Sequence, residues 1–424
     1  HKEYRRQRQM CIRDSAGALQ KSAEKGCFGS MSNSWVNFIG LYLRIGLLGF
    51  GGPQAHIAML RDEVVNTRGW VDGNRFDEGL GLCEALPGPA SSQMAIYLGW
   101  LQRGWIGGLI SGICFLLPGL LIVLGLSELW RNGQSIPSFT TALQTLQPVI
   151  AAIIWTFAWK LMGSRRAGWQ RVTAVLVMLG GLINAFTPLT LPAGLLLLLA
   201  GLSRWLSSQP PPAPTPPSAG NTGLLTPIPL ATAPLLVSSW GLLGQLFAVF
   251  FKTGLLVFGG GLVIIPLLEQ QVVTLGWLNS AQFLDGVAIG QISPGPVVLT
   301  SAFVGYQAGW QEGGGSYAVL AACVATAAIF LPSFLFILAG SPVLQRLRHQ
   351  PAVKTVLSGV LAGVPGAVAA AALPLTLTAV GNGVMGLQLL LFSLALWLSV
   401  TGRMKPLPLI GASLMIGLLL EWLG

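Results

Sequence analysis

The stretch GLLGFGGPQAHIAML, residues 46–60, recurs in the second half of the chain as GLLVFGGGLVIIPLL, residues 254–268. Each copy places a glycine-rich break inside an apolar segment, and a basic residue (Arg44, Lys252) precedes each copy by two positions. Glycine and proline disturb a helix, and in hydrocarbon the freed backbone groups must find partners in protein or water. The two stretches therefore predict a duplicated membrane protein with one inward-facing broken helix in each half.

The composition also indicates a membrane protein. Of 424 residues, 53% are hydrophobic and 9% are charged, whereas soluble proteins carry about 25% charged residues. Apolar stretches recur along nearly the whole chain, at roughly 36–50, 79–100, 106–127, 143–163, 172–206, 241–268, 283–308, 316–340, 352–372, 383–400 and 406–423. Because a helix crosses a bilayer with about 20 apolar residues, we predict an all-α integral membrane protein of about ten to twelve transmembrane helices.

The charge and the cysteines exclude other classes of protein. Part of the net charge of +10 lies in residues 1–30, which hold seven Lys or Arg and three Asp or Glu, and the remainder suits basic cytoplasmic loops. We therefore expect no nucleic-acid binding. The composition changes abruptly at Met31, so we interpret residues 1–30 as a disordered or non-native tail. The cysteines lack metal-ligand spacing, and we expect neither a metal nor a cofactor.

A Pro-rich segment divides the chain into two halves. Residues 207–229 have the composition of an extended linker, which predicts a first membrane repeat at 31–206, a linker at 207–235 and a second repeat at 236–424. The matched positions are Arg44 with Lys252, FGG at 50–52 with FGG at 258–260, Trp70 with Trp277, Phe76 with Phe283, PGP at 87–89 with PGP at 294–296, and Pro118 with Pro332.

The orientation of the repeats follows from their basic clusters. One cluster, Lys160–Arg171, follows the fourth apolar stretch, whereas the cluster Arg346–Lys354 precedes the corresponding stretch of the second half. If both are cytoplasmic, the repeats are inverted, as in many transporters. A hairpin at TPLTLP, 187–192, would make them parallel instead.

The breaks have the chemistry of an anion site. A broken helix exposes N–H groups at a partly positive N-terminus, and each break has a cation nearby. This predicts a site for a small oxyanion, with substrate-binding candidates Arg44, Gly51, Gly52, Pro53, Gln54, Lys252, Gly259, Gly260 and Gly261. The alternative is that the glycines serve close helix packing and that Arg44 reaches to the membrane interface.

A second pair of motifs, CEALPGPASSQ at 83–93 and GQISPGPVVLTS at 290–301, also interrupts apolar segments. The helix-break residues are Pro87, Gly88, Pro89, Pro294, Gly295 and Pro296. Glu84 is our main proton-coupling candidate because carboxylates inside membranes are costly and usually functional, although an interfacial position would explain it too. His56 is a second candidate because histidine side chains ordinarily titrate near neutral pH, and its counterpart in the second half is Ile264.

At these motifs the sequence resembles the long two-domain form of the chromate transporter (CHR) family. The resemblance rests on FGGPQAH with the upstream LYLRIG, ALPGPASSQ, FFKTGLLVFGGGLVIIPLLEQ and ISPGPV. It implies a multi-pass protein of a prokaryotic inner (plasma) membrane that expels chromate and confers resistance, with sulfate as a competitor or counter-substrate. It also carries the family's motif positions onto the substrate-binding, proton-coupling and helix-break candidates named above, with Phe50 in addition.

We therefore expect a secondary transporter that exports chromate, a small divalent oxyanion, and not an enzyme. Because no nucleotide-binding motif is present, export would be driven by the membrane potential or by proton or anion exchange. The alternatives are a transporter of sulfate or another oxyanion, a membrane-embedded enzyme and a non-transporting subunit. Association into a homodimer is left open.

Overall fold

The computed structural model describes residues 34–50, 52–163, 167–186, 193–207, 241–257, 261–339 and 351–423. The predicted tail at 1–30 and the predicted linker beyond residue 207 lie outside these residues. The chain divides into a unit of residues 1–41 and a unit of residues 42–424. Within the described part of the first unit, the Trp35 ring meets the Phe38 ring edge to face at 5.6 Å.

The described residues form helices and turns, without a β-strand. The helices of the first half are α1 (Trp35–Leu48), α2 (Pro53–Arg61, continued as a π-helix over Asp62–Thr67), α3 (Gly73–Ala85), α4 (Ala90–Gly133), α5 (Pro137–Gly163), α6 (Gly168–Phe186) and α7 (Ala193–Ser207).

Those of the second half follow in a similar order. They are α8 (Leu242–Leu256), a short 3₁₀ turn (Gly261–Val263), α9 (Ile264–Thr274), α10 (Ser280–Ile292), a second 3₁₀ turn (Val297–Leu299), α11 (Thr300–Leu338), α12 (Pro351–Gly381), α13 (Met385–Val400) and α14 (Pro406–Leu423).

Several helices have the length and apolar character that a membrane requires. Among the described residues, four helical segments are long and apolar enough to cross a bilayer, namely Ala90–Gly133, Pro137–Gly163, Val297–Leu338 and Ser358–Gly381. Large apolar side chains such as Leu121 and Trp105 on α4 are exposed at the protein surface, where lipid would cover them. The protein is therefore an all-α membrane protein.

The long helices α4 and α11 are each bent back on themselves. The bend in α4 lies at Gly104, where φ is +64°, and the bend in α11 lies at Gly314, where φ is +75°. Glycine suits both positions because it adopts positive φ at little cost. In α4 the two arms lie side by side, since the Ser111 hydroxyl donates to the Ala95 carbonyl oxygen at 2.9 Å.

The two halves interlock by reciprocal contacts. Helix α5 of the first half packs against α13 and α14 of the second, while α12 of the second half packs against α6 and α7 of the first. The corresponding helices α4 and α11 contact each other, as do α5 and α12. A hydrogen bond between the halves adds to this packing. The Thr145 hydroxyl on α5 donates to the Ser413 carbonyl oxygen on α14 at 2.9 Å.

A close helix crossing occurs at equivalent places in both halves. A Cβ atom at Gly46 on α1 would overlap the backbone carbonyl oxygen of Phe115 on α4. A Cβ atom at Gly254 on α8 would overlap the carbonyl oxygen of Ile329 on α11 in the same way. The glycines therefore allow the backbones to approach as small residues do in membrane helices generally.

Candidate functional site

The PGP motifs end one helix and begin the next in both halves. The helical region is disfavoured for a residue before proline, and Leu86 and Ser293, which precede Pro87 and Pro294, are both extended, with ψ of 150° and 146°. Helix α3 therefore ends at Ala85 and α10 ends at Ile292. Between the prolines, Gly88 has a φ of +123° and Gly295 has a φ of +93°.

Each PGP loop donates a hydrogen bond to the broken helix of the other half. The Gly295 N–H of the second half donates to the Gly49 carbonyl oxygen at 3.0 Å, immediately before the first glycine-rich break. The Gly88 N–H of the first half donates to the Val257 carbonyl oxygen at 2.6 Å, immediately before the second break. The four motifs thus meet in reciprocal pairs across the two halves, and the breaks have backbone partners inside the protein, as hydrocarbon requires.

The kinked arms of α4 and α11 add a second set of reciprocal contacts. The Gln93 side chain donates to the Pro87 carbonyl oxygen at 2.5 Å and approaches the Ser333 hydroxyl at 3.5 Å. At the PGP loop of the second half, a Cβ atom at Gly119 on α4 would stand 2.5 Å from the Pro294 carbonyl oxygen. A Cβ atom at Gly88 would likewise overlap the Ser333 hydroxyl, so the residue after Pro118 or Pro332 packs on the PGP loop of the other half.

The first break lies between α1 and α2. Gly52 has a φ of +88° and precedes α2, and Pro53 is the first residue of that helix, where its missing N–H costs nothing. Gln54 in the first turn is exposed. Upstream, Arg44 is 63% exposed and forms a salt bridge with Glu63, its Nη1 lying 3.4 Å from Oε1.

His56 on α2 contacts the segment that precedes the first break. Its side chain is fully buried, and its Nε2 atom lies 2.8 Å from the Gly49 carbonyl oxygen, so Nε2 donates. Its ring meets the Phe115 ring edge to face at 5.3 Å. The Gly49 carbonyl oxygen therefore accepts hydrogen bonds from both His56 and Gly295, whereas the second half has Ile264 in place of the histidine.

The second break is described only in part. Lys252 is half-buried on α8, and Gly261 is buried at the start of the 3₁₀ turn. The candidates Gly51, Gly259 and Gly260 lie outside the described residues.

The proton-coupling candidate Glu84 lies on α3. It is the second-last residue of α3, and its side chain is exposed. Among the described residues it forms no salt bridge. Glu84 therefore lies next to the first PGP loop, which begins at Pro87.

The comparison with known sequences bears on these paired motifs. The sequence profile described as "Chromate transporter" matches residues 36–205 and again residues 244–418. The chain belongs to the chromate transporter family. No solved structure matches the chain.

Several relatives of the chain are named as chromate transport proteins. The chain is 33% identical over 382 residues to the "Chromate transport protein" of Cupriavidus metallidurans, which covers 89% of this chain and 91% of the relative. It is 33% identical over 333 residues to the "Probable chromate transport protein" of Synechococcus elongatus, covering 78% of this chain and 81% of the relative. It is 30% identical over 351 residues to the "Chromate transport protein" of Pseudomonas aeruginosa, with 81% of each covered.

Buried hydroxyls without partners follow the PGP loops of this chromate transporter family member. The Ser91 and Ser301 hydroxyls are fully buried, and neither has a hydrogen-bond partner among the described residues. Buried polar groups are normally hydrogen-bonded, and these two hydroxyls are exceptions among the described residues. Ser333 is not among the residues predicted from the sequence; its position after Pro332, the counterpart of Pro118, is the signal that could have identified it.

Proposed function

We propose that this protein is a secondary transporter that exports chromate across the inner membrane, driven by the membrane potential or by proton or anion exchange. The observation that carries the proposal is the reciprocal pairing of each PGP loop with the broken helix of the other half. Irregular backbone at membrane depth is typical of a transport site between two repeats. Membership of the chromate transporter family and the names of its relatives support chromate as the substrate.

We further propose ten to twelve transmembrane helices in two inverted repeats, separated by the linker at 207–235. The double match of one family profile supports the duplication. The exchange of helix partners between α5 and α12 supports a two-fold relation between the halves.

The proposed anion site lies between the two breaks. Its N–H donors are those of residues 51–54, except proline, and 259–262, and the charges of Arg44 and Lys252 balance the dianion. No described atom lies within 4 Å of where a Cβ of Gly52 would stand, which leaves room beside the N-terminus of α2. Because an exposed salt bridge stabilises by only about 0–1 kcal/mol, an anion can displace Glu63 from Arg44 at little cost.

Proton exchange, if it drives export, is proposed to use Glu84 or His56. Glu84 is exposed at the end of α3, beside the first PGP loop. His56 has a buried Nδ1 atom without a partner among the described residues, where a proton can bind.

Sulfate is the alternative cargo, since it shares the charge and tetrahedral shape of chromate, and competition by unlabelled sulfate against labelled chromate separates the two.

The test of the site is chromate transport by Arg44→Ala and Lys252→Ala in vesicles of fixed membrane potential. A hydrogen bond to a charged group contributes about 1.5–3 kcal/mol, so each variant is expected to raise the chromate concentration for half-maximal flux by roughly 10- to 100-fold. The initial rate of radiolabelled chromate flux at several concentrations provides the measurement.

Arg61→Ala is the matched control for this test. Arg61 is also an exposed arginine in a salt bridge, with Asp77 at 2.8 Å, and it lies beyond the first turn of α2. We expect Arg61→Ala to transport like the wild type. Wild-type concentration dependence in Arg44→Ala and Lys252→Ala would exclude the proposed anion site.

A further inference from the structure

A buried carboxyl group lies on α10, outside the site described above. Asp285 is only 4% exposed. Its Oδ2 atom accepts a hydrogen bond from the Trp130 indole at 3.0 Å, and its Oδ1 atom accepts one from the Gln147 amide at 3.0 Å. Gln147 in turn accepts a hydrogen bond from the Asn382 side chain at 3.1 Å. The carboxyl group is therefore held by a network of neutral donors from several helices.

No cation balances Asp285 among the described side chains. The charged residues with described side chains on the helices packed against α10 are Arg103, Glu128 and Arg131 on α4, Lys160 on α5, Glu269 on α9, Glu312 on α11 and Glu421 on α14. Arg131 pairs with Glu128 at 2.9 Å, and the described salt bridges do not include Asp285. Ser280 binds Glu269, and Thr141 binds Glu421. Asp285 is thus a buried acid with neutral hydrogen-bond partners.

The surroundings of Asp285 suit both protonation states. A buried carboxylate without a cation is costly, which favours binding of a proton. The indole N–H can only donate, and each carboxyl oxygen has a further lone pair. A proton can therefore add to one oxygen while both existing donors stay in place, so that the change of charge does not require the network to be rebuilt.

Asp285 also lies where the two halves meet. It belongs to α10 of the second half, which leads directly into the PGP loop at 294–296, whereas Trp130 and Gln147 belong to α4 and α5 of the first half. The Trp130 ring additionally contacts the Phe303 ring of the second half edge to face, with the centroids 5.2 Å apart. A change of charge at Asp285 therefore acts on the interface that must rearrange for alternating access.

We propose that Asp285 binds and releases a proton in each transport cycle and thereby couples chromate movement to the pH gradient. This inference rests on the proposed function and assigns its proton site to a residue other than Glu84 and His56. The proton adds to a carboxyl oxygen and leaves from it, and no electron is transferred. A bound dianion and an ionised carboxylate are both negative. Ionisation of Asp285 therefore changes the free energy of chromate binding, and bound chromate changes the free energy of proton binding at Asp285 by the same amount.

The test compares two assays on the full-length protein in liposomes with the membrane potential held at zero. One assay measures accumulation of radiolabelled chromate driven by a pH gradient, and the other measures exchange of labelled for unlabelled chromate without a gradient. Asp285→Asn keeps the shape and one acceptor oxygen but cannot bind the proton. We expect it to lose gradient-driven accumulation by about tenfold or more, a usual size for coupling between sites, while exchange continues.

Matched variants separate the outcomes. Glu312→Gln removes an exposed carboxyl group on α11 and is expected to behave like the wild type in both assays, and Asp285→Glu is expected to keep the response to the gradient. Two results with Asp285→Asn would overturn the proton role. One is gradient-driven accumulation of chromate like that of the wild type. The other is a folded variant that has lost exchange as well as accumulation. Accumulation that follows a sodium gradient instead also overturns it. A wild type inactive in both assays refutes the proposed function itself, as distinct from the role of Asp285.

An infrared measurement covers the case in which Asp285→Asn does not fold. The C=O stretch of a protonated carboxyl group, followed against pH in the wild type, is expected to shift in Asp285→Glu. Titrating bands that are identical in the two proteins would overturn the assignment without any transport assay.

Discussion

Gly88→Ala is expected to lower chromate flux by about tenfold or more and to reduce the thermal stability of the protein. Alanine at a φ of +123° is strained by on the order of 1–3 kcal/mol, and its Cβ atom would overlap the Ser333 hydroxyl and crowd the Gln93 amide. Relief of this overlap displaces the loop whose N–H donates to Val257. Flux in vesicles and the unfolding temperature of the purified protein measure the two effects.

Gly104→Ala is the control for backbone strain in this experiment. Gly104 has a φ of +64°, but no described atom lies within 4 Å of where its Cβ atom would stand. The control is therefore strained without a collision, and we expect near wild-type flux with a loss of stability that reflects the backbone strain alone. Adding Ser333→Ala to Gly88→Ala removes one of the two overlaps and is expected to restore part of the flux. Equal flux in Gly88→Ala and Gly104→Ala would mean that the loop contact across the halves does not matter.

Gly254→Ala is expected to destabilise the protein strongly. The new Cβ atom would overlap the Ile329 carbonyl oxygen, which belongs to the backbone and cannot rotate away as a side chain can. Overpacking of this kind costs typically about 1–3 kcal/mol, and α8 would have to move away from α11. Gly46→Ala is expected to act similarly through Phe115, because the crossing is repeated in the first half. The fraction of monodisperse protein that survives heating gives the comparison.

Gly125→Ala on α4 is the matched control for this second experiment. It replaces a glycine inside a long helix where no described atom lies within 4 Å of the new Cβ atom. Alanine is favoured over glycine inside a helix by about 1 kcal/mol, so the expected change has the opposite sign. If Gly254→Ala and Gly125→Ala were equally stable, close backbone contact at Gly254 would not be what holds α8 against α11.

The local course of the chain could largely be predicted from the sequence. Proline acts on the residue before it, so the PGP motifs fix where α3 and α10 end, and the Gly-Gly-Pro sequence fixes where α2 begins. The apolar stretches 79–100 and 106–127 are separated where α4 bends at Gly104. The match of the two halves follows from the order of these short motifs.

The partners across the halves could not be predicted in this way. Nothing near Gly88 in the sequence indicates that its N–H meets Val257, because that pairing depends on how the helices pack. The sequence predicts Arg44 as part of an anion site, but its salt bridge with Glu63 depends on how the π-helix continues α2. In the sequence Asp285 is one acidic residue in an apolar stretch, and its partners Trp130 and Gln147 are far away in the chain.

The exchange of helix partners between the halves has a consequence for biosynthesis. Helix α5 finds its neighbours α13 and α14 only after more than two hundred further residues have been made, which takes on the order of 10–50 s at usual rates of synthesis. During that time Thr145 has no Ser413 carbonyl to bind, and the apolar side chains of α5 are covered by lipid or by a chaperone. The nascent first half is therefore an incomplete intermediate in the membrane, and ribosome pausing in the second half would prolong its exposure to membrane proteases.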